Sequence, residues 1–404
     1  MPRKIRALGH KYVLLTSSPD FYSAFAPEGE EHPVTDLADE VVTCDTNDLG
    51  ELIGACAAVK RRRAVDGVLS SCDYYLKAVA EVAAALNLPS SPVAAVTAAT
   101  NKFLMRRALK EKGVPGPRFF LARSAAEAAA AAEEAGFPLI VKPADMNGSE
   151  LVQKVNDPDA LVKAVEMVNA TAVNTRNQAR FPGALIEEYL PGEEFSVECC
   201  IFDGDVFVLG ITDKKLGGRD KVVEVGHMFP ADIHPEEASA LKNHVKEALL
   251  AIGYSNGVAH VEARLTPQGP RIIEINARIG GNYISDLVER VTGISPLTQM
   301  IQIALGQPPD LPERLSNQGP ESAAIAFVLP LESGILKGYD GEDEMKNSPG
   351  VVSGVLASAG KKVASPNNND CYLGHVICVD NKGLRAGCLA AQALSRLTPI
   401  VEKT

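Results

Sequence analysis

The sequence predicts a mixed α/β protein of more than one domain, and three observations lead there. Short apolar runs alternate with helical stretches up to about residue 95, as in an open parallel α/β unit. Two runs of alternating residues, 258–265 and 271–277, flank a Pro/Gly-containing turn and read as a β-hairpin. From Glu321 to Thr404, short β runs precede an alanine-rich helix, an α+β pattern. At 404 residues the chain has material for two to four domains and a sizeable core.

In chain order, 12–17 is a compact apolar run suited to the first strand of a parallel sheet. Further strands are expected at 41–43 and 67–70, and a helix over 76–86. No Gly-x-Gly-x-x-Gly follows the first strand, so a dinucleotide site is not indicated. A helix is expected over 94–112, closed by Gly113 with Pro115 and Pro117 beyond, and it carries Asn101, Lys102, Met105 and Arg106. Ser124 and Glu127 form a capping box for a helix that stops at Gly136. The run 137–143 reads as a buried strand ending on Lys142, a costly place for a charge unless an anion meets it. The small polar stretch 144–149 has the make-up of a loop whose backbone N–H groups could close over phosphates.

Asp157 and Pro158 open a helix to about Asn169, and 171–180 is a polar loop. Two strand-like runs within 184–201 are joined through Leu190-Pro191-Gly192, a hinge between two parts of one site. Asp203-Gly204 signals a hairpin turn, 213–221 a charged loop and 225–230 a strand leading into a turn. Pro235 starts an amphipathic helix ending near Gly253. Helices follow to about Val291 and over 296–305, then a proline-containing linker at 308–318. The tail is expected to hold strands at 323–329, 350–356 and 375–379 and a helix from about Arg385.

A net charge of −11 argues against a nucleic-acid partner held by bulk electrostatics, and leaves room for a local basic pocket. The eight cysteines form no C-x-x-C pair and no zinc spacing, which suits reduced core thiols of a cytoplasmic protein. No apolar window approaches membrane-span length and no signal peptide opens the chain.

The hairpin carries the chemistry. Alternation points Glu274 and Asn276 the same way, with Arg278 one step further and Glu262 beside them on the partner strand. Carboxylate and amide oxygens crowded on one face suit Mg²⁺, and an arginine beyond them could hold a phosphate the metal also touches. Taken alone, Glu-x-Asn also fits a solvated hairpin face. Ile272, Ile273 and Ile275 favour burial of at least one side.

Lys102, Val141-Lys142-Pro143, the run from Glu187 to Glu194, and Glu262 followed by Glu274-x-Asn276-x-Arg278 occur in an order and spacing that resembles the ATP-grasp superfamily. The likeness covers roughly residues 10–400 and is greatest to carboxylate-amine ligases of the L-amino acid ligase, or dipeptide-synthase, group. It implies an N-terminal α/β domain at 1–95, a two-lobed ATP-grasp domain at 96–190 and 191–310, and a C-terminal α+β cap at 320–404. It also implies that Lys102, Lys142 and Ser149 contact nucleotide phosphates, Glu187, Glu188 and Leu190 line the adenine edge, and Glu194 takes the ribose hydroxyls.

Glu262, Glu274 and Asn276 would hold Mg²⁺, with Mn²⁺ as a substitute, and Arg278 would steady the transferred group. Asp213-Lys214 and Gly226-His227-x-x-Pro230-Ala231 resemble elements that place a lysine near the γ-phosphate and a histidine near the reacting carboxylate, although His227 also suits a structural strand end. Which of Lys214 and Lys215 faces the phosphate stays open. Gly280, Gly281 and Asn282 would line the acceptor pocket, and loops 145–150 and 214–221 would form the lid.

Met146 and Leu151 stand where relatives usually have glycine, a departure from the pattern. The implied reaction activates a carboxylate as an acyl phosphate with ATP and couples it to an amine. A carboxylase or purine-pathway ligase, and a non-catalytic ATP-binding module, are the alternatives. Small-molecule substrates, no nucleic acid or membrane partner, and a homodimer complete the expectation.

Overall fold

The computed structural model describes residues 1–24, 26, 32–217, 223–312, 316–330, 332–364 and 371–403. Its centre is an eight-stranded sheet, in spatial order Gly269–Asn276, Gly257–Thr266, Glu193–Phe202, Asp205–Gly217, Val223–Phe229, Ser322–Val328, Gly374–Asp380 and Val351–Leu356. Its pairings are antiparallel. One face is apolar: Val197, Val261, Ala263, Ile272 and Ile275 are buried in one cluster with Leu241, Val245, Ala248 and Leu249 of the helix Pro235–Ala251. Because strand side chains alternate, the opposite face must carry the residues between them. Those are Glu194, Ser196 and Glu198 on one strand, paired with Arg264, Glu262 and His260 on the next.

A four-stranded sheet forms the second layer, in the order Phe119–Ala122, Ala184–Glu188, Leu139–Pro143 and Gln153–Val155. Helices Ala125–Ala135 and Pro158–Ala170 share its core through Ala128, Ala131, Leu161, Val165 and Val168. Their starts follow the capping signals: Ser124 accepts from the Glu127 N–H at 3.3 Å and Asp157 from that of Ala160 at 2.9 Å. The Glu127 carboxylate reaches back one residue further than a capping box requires, to the Arg123 N–H at 2.5 Å.

The hairpin forms where alternation places it, and Glu262 lies directly opposite Glu274. The register shifts after that pair, so that Ala263 faces Ile272 and Ile273 is the extra residue of a bulge. The hinge run becomes the strands Ala184–Glu188 and Glu193–Phe202, and Asp203 and Gly204 take the left-handed conformations of a tight hairpin turn.

Four expectations need correction. Residues 67–70 join no ladder, and the N-terminal sheet has two parallel strands, Val13–Thr16 and Glu40–Thr43. Gly67 instead lies against the end of helix Pro296–Ala304, where a Cβ would fall 2.2 Å from the Ala304 carbonyl oxygen. The helix expected over 94–112 is two, Val93–Ala99 and Lys102–Glu111, because extended Asn101 caps the second by accepting from the Leu104 N–H at 3.1 Å. Residues 213–217 continue a strand, with Lys214 opposite His227, while 218–221 of the expected loop lie outside the described residues. The tail holds a further three-stranded sheet, ordered Lys362–Val363, Gly334–Asp340 and Thr398–Glu402. Gly334, Gly338 and Pro399 interrupt the apolar runs by which those strands would have been recognised.

All eight cysteines are free thiols. Among the described residues no helix is long and apolar enough to cross a membrane.

Candidate active site

The break at Asn101 points the short helix Lys102–Glu111 into the space between the two sheets. Lys102 and Arg106, one turn apart, each reach both sides. Lys102 Nζ donates to the Met146 carbonyl at 2.8 Å and to Glu274 Oε1 at 2.9 Å, joining the loop after Lys142 to the hairpin. Arg106, 2% exposed, donates from Nε to Glu187 Oε1 at 2.6 Å and from its two terminal nitrogens to the carbonyls of Ile272 and Ile273, at 2.7 and 2.9 Å. The bulge frees those carbonyls, and the guanidinium satisfies them.

The second oxygen of Glu187 holds Lys142 Nζ at 2.6 Å. Burial would raise this carboxyl, but Arg106 and Lys142 outweigh it and bring the pKa down to about 2. Lys142 shifts the other way from what one salt bridge would suggest. Burial, with Arg106 and Lys102 nearby, lowers its pKa despite Glu187. Arg106 and Lys142 share one carboxylate while Lys102 spends its own on Glu274, so Lys142 has the unmet demand for an anion that its place in the strand implied.

On the sheet face the balance reverses. Lys214 Nζ sits among Glu194 at 2.9 Å, Glu262 at 2.8 Å and Glu224 at 3.2 Å. Burial would lower its pKa, yet the carboxylates hold it well above the usual lysine range. Burial likewise opposes ionisation of Glu262, and Lys214 and His260 more than compensate, keeping its carboxyl well below the usual range. Lys215 is exposed on the other side of the strand, near Gly387. Lys214 is therefore the lysine that shares the face of Glu262.

Behind Glu262, buried His260 contacts Glu198 Oε1 through Nδ1 at 2.5 Å and Glu262 Oε1 through Nε2 at 3.4 Å. Burial disfavours the imidazolium, but Glu198 and Glu262 raise its pKa to about 10. His227, 1% exposed, meets Glu224 Oε2 through Nε2 at 3.2 Å, and its buried Nδ1 has no partner among the described residues. Asn282 Nδ2 donates to the same Glu224 oxygen. Arg278 donates from Nε to Asp73 Oδ1 at 2.5 Å and from Nη1 to the Ile279 carbonyl at 2.9 Å, which brings the N-terminal helix Asp73–Leu86 to the rim of the site.

The structure thus brings Lys102, Glu274, Glu262, Lys214, Glu194, Glu224, His227 and Asn282 into one linked set, with Asn276 two residues beyond Glu274 on the same face. Lys142 and Glu187 form a second set, joined to the first through the helix bearing Arg106 and Lys102. Gly280 belongs with Glu198, to which its N–H donates at 3.2 Å, and exposed Gly281 follows it. Ser149 lies apart from both sets, half-buried with a left-handed backbone (φ 60°). At the hinge the Glu188 N–H donates to the Arg118 carbonyl at 3.1 Å, and the Leu190 carbonyl accepts from Arg264 at 2.7 Å. Leu151, where glycine was expected, adopts the left-handed conformation glycine prefers (φ 57°), and Met146 is buried.

Among the described residues no three His, Cys, Asp or Glu side chains converge as a metal site. Glu262 and Glu274 are nonetheless cross-strand partners, and Asn276, whose nitrogen donates to the His260 carbonyl at 3.5 Å, keeps its amide oxygen for a ligand. Two carboxylates and an amide oxygen, with phosphate and water completing the shell, form a donor set that fits Mg²⁺.

Sequence reasoning missed Arg106 as a bridge, and it missed Glu198, His260, Glu224 and Asp73. The one available signal was the alternation His260, Glu262, Arg264 in the stretch before the hairpin turn.

Three family models match the chain: an ATP-grasp N-terminal domain over residues 3–90, an ATP-grasp domain over 135–286 and the L-amino acid ligase C-terminal domain 2 over 326–402. An uncharacterized protein of Sinorhizobium fredii is 27% identical over 376 residues, 93% of this chain and 74% of that protein. The alanine–anticapsin ligase of Bacillus subtilis is 25% identical over 325 residues, 76% of this chain and 65% of the ligase. The chain spans between 14% and 65% of the length of the named enzymes it matches. The crystal structure of an L-amino acid ligase from Bacillus licheniformis shares the fold with a TM-score of 0.80 at 24% identity, covering 99% of this chain and 95% of that one. The biotin carboxylase domain of a Hydrogenobacter thermophilus 2-oxoglutarate carboxylase, solved with MgADP and bicarbonate, does so with a TM-score of 0.71 at 16% identity, covering 99% and 87%.

Proposed function

The chain belongs to the ATP-grasp superfamily, and from that premise we propose that it is an ATP- and Mg²⁺-dependent ligase. It joins a carboxylate, an amino acid or related acid, to an amine, usually that of another amino acid. One observation carries the reading: Lys102 spans from the loop after Lys142 to Glu274, so a cation-rich strand end and an oxygen-rich hairpin face one another across a single helix. A triphosphate has the charge to join the first side, and its divalent counter-ion the charge to join the second.

Oxide is a poor leaving group, so the carboxylate must first be activated. One of its oxygens attacks the γ-phosphorus as the bond to the ADP oxygen breaks. The amine nitrogen then attacks the acyl carbon, the C–O bond to phosphate breaks, and the nitrogen sheds a proton. Lys102 and Lys142 bind the phosphates, and Glu194 the ribose. Glu187, Glu188 and Leu190 form the hinge against the base. Glu262, Glu274 and Asn276 would hold Mg²⁺, with Mn²⁺ as a substitute, and the bound ion would offset charge on the phosphoryl oxygens.

Arg278 and Lys214 steady the transferred phosphoryl group, His227 lies by the reacting carboxylate, and Gly280 to Asn282 border the amine. The residues 145–150 close over the phosphates, because water would hydrolyse the acyl phosphate. We expect a cytoplasmic homodimer that works on small molecules.

With ATP, Mg²⁺ and paired amino acids, ADP and phosphate should appear only when both partners are present. Release of AMP would remove the acyl phosphate scheme. Dependence on bicarbonate or on a phosphoribosyl amine would replace this reading with a carboxylase or purine-type ligase. Nucleotide binding without any turnover would leave a binding module. Glu274→Gln and Arg278→Ala should each abolish turnover while circular dichroism and melting stay those of the parent, and an active, folded variant would refute the assigned role.

A further inference from the structure

Behind the residues assigned to metal and substrate lies a buried pair that contacts both groups and has itself been given no role. Glu198 and His260 are 2% and 4% exposed and lie opposite one another on adjacent strands, with Asn276 opposite His260 on the next. The two Glu198 oxygens divide their work. Oε1 meets His260 Nδ1 at 2.5 Å, and the far side of that ring meets Glu262 at 3.4 Å. Oε2 accepts the N–H of Gly280 at 3.2 Å, in the loop that follows Arg278. The fit is close, since a Cβ on Gly280 would stand 3.1 Å from Glu198 Oε1 and 3.0 Å from Ile284.

We propose that Glu198 and His260 are positioning residues that couple the metal-holding carboxylate Glu262 to the amine-side loop at Gly280. The inference rests on the ligase reading above and adds the link between its two half-sites. A carboxylate with one oxygen on each cannot shift to suit one without disturbing the other, and buried surroundings offer it no replacement partner. Ordering of Glu262 by metal therefore favours the seated position of Gly280. An amine that seats the loop in turn favours metal, as reciprocal linkage requires.

The test is Glu198→Gln, which keeps shape but leaves one oxygen to serve two donors, with His260→Gln as the companion should the first fail to fold. Two quantities are read in each. The first is the extra rise in melting temperature that ADP with Mg²⁺ gives over ADP with chelator, a readout independent of turnover. The second is the half-saturating amine concentration in ADP release. In either variant the Mg²⁺ concentration for half the thermal shift and the amine concentration should both rise, each roughly 10- to 100-fold, the range for partners that orient metal ligands. The shift with ADP and chelator should stay that of the parent.

A change in only one readout, or in neither, overturns the coupling. An equal loss of every readout, including metal-free ADP, marks a merely structural role and overturns it too. Failure of the parent protein to show an Mg²⁺-dependent ADP shift would instead overturn the nucleotide reading and this inference with it.

Discussion

Two buried ionic clusters face each other across the helix Lys102–Glu111, and their charge balances are opposite. Around Glu187, the cations Arg106 and Lys142 outnumber the one carboxylate they share, with Lys102 close by. Around Lys214, the carboxylates Glu194, Glu224, Glu262 and, behind them, Glu198 outnumber the cations that meet them, Lys214, Arg264 and His260. A fold seeking only stability would pair these surpluses off or replace them with apolar side chains, because burying unbalanced charge is costly. That each side keeps its excess indicates that the missing charge comes from outside the chain, an anion for one and a cation for the other.

The contrast can be broken most directly at its most crowded point. Lys214→Met removes the cation that three carboxylates share, leaving Glu194 to Arg264, Glu262 to His260 and Glu224 to His227 and Asn282, and should cost about 3–5 kcal/mol in urea unfolding, the range for removing one partner of a buried ion pair. A loss under 1 kcal/mol would mean that the carboxylates are not held by this lysine.

The next test uses acid. With its pKa at about 2 instead of 4.5, Glu187 contributes stability that is present above pH 4.5 and lost as pH falls toward 2. The shift corresponds to about 3 kcal/mol. Unfolding curves of the parent and of Glu187→Gln should therefore converge by about that amount between pH 6 and pH 2, and parallel curves would dissolve the cluster.

Lys142→Met should cost only about 1 kcal/mol, since Glu187 keeps Arg106 and the lost charge was disfavoured. Equal losses at Lys142 and Lys214 would erase the difference between the regions. The smallest effect is a proton count. The Lys142 pKa is lowered in the free chain, so a phosphate that restores it should draw a fraction of a proton from solution in buffers below the usual lysine range. Calorimetry of ADP binding in buffers of different ionisation enthalpy should show this uptake in the parent and not in Lys142→Met; proton release would have the wrong sign.

What was legible in the sequence follows the same division. The hairpin, its shared face and the demand of Lys142 for an anion are local consequences of alternation and of a charge in an apolar strand, and each could be read within about twenty residues. The partners could not. Arg106 finds Glu187 81 positions away and Ile272 166 away, and Arg278 finds Asp73 205 away, so no periodicity announces them. The misplaced elements share a different cause. The helix at 94–112 breaks because one side chain, Asn101, outcompetes continuation. Lys214 looked like part of a loop because a charged strand facing a buried site has the composition of a solvent-exposed turn.

The strand Ser322–Val328 has a consequence for how this chain can be cut. It takes up the open side of Val223–Phe229, with Ile325 opposite His227 and Ala324 opposite Met228. A truncated chain ending near residue 310 would bare the unpaired backbone edge of residues 226–229, the stretch that holds His227 itself. Such an edge recruits whatever extended segment is at hand. The shortened protein should therefore be a sticky, self-associating species, and any activity lost with the tail would say little about whether the tail touches substrate.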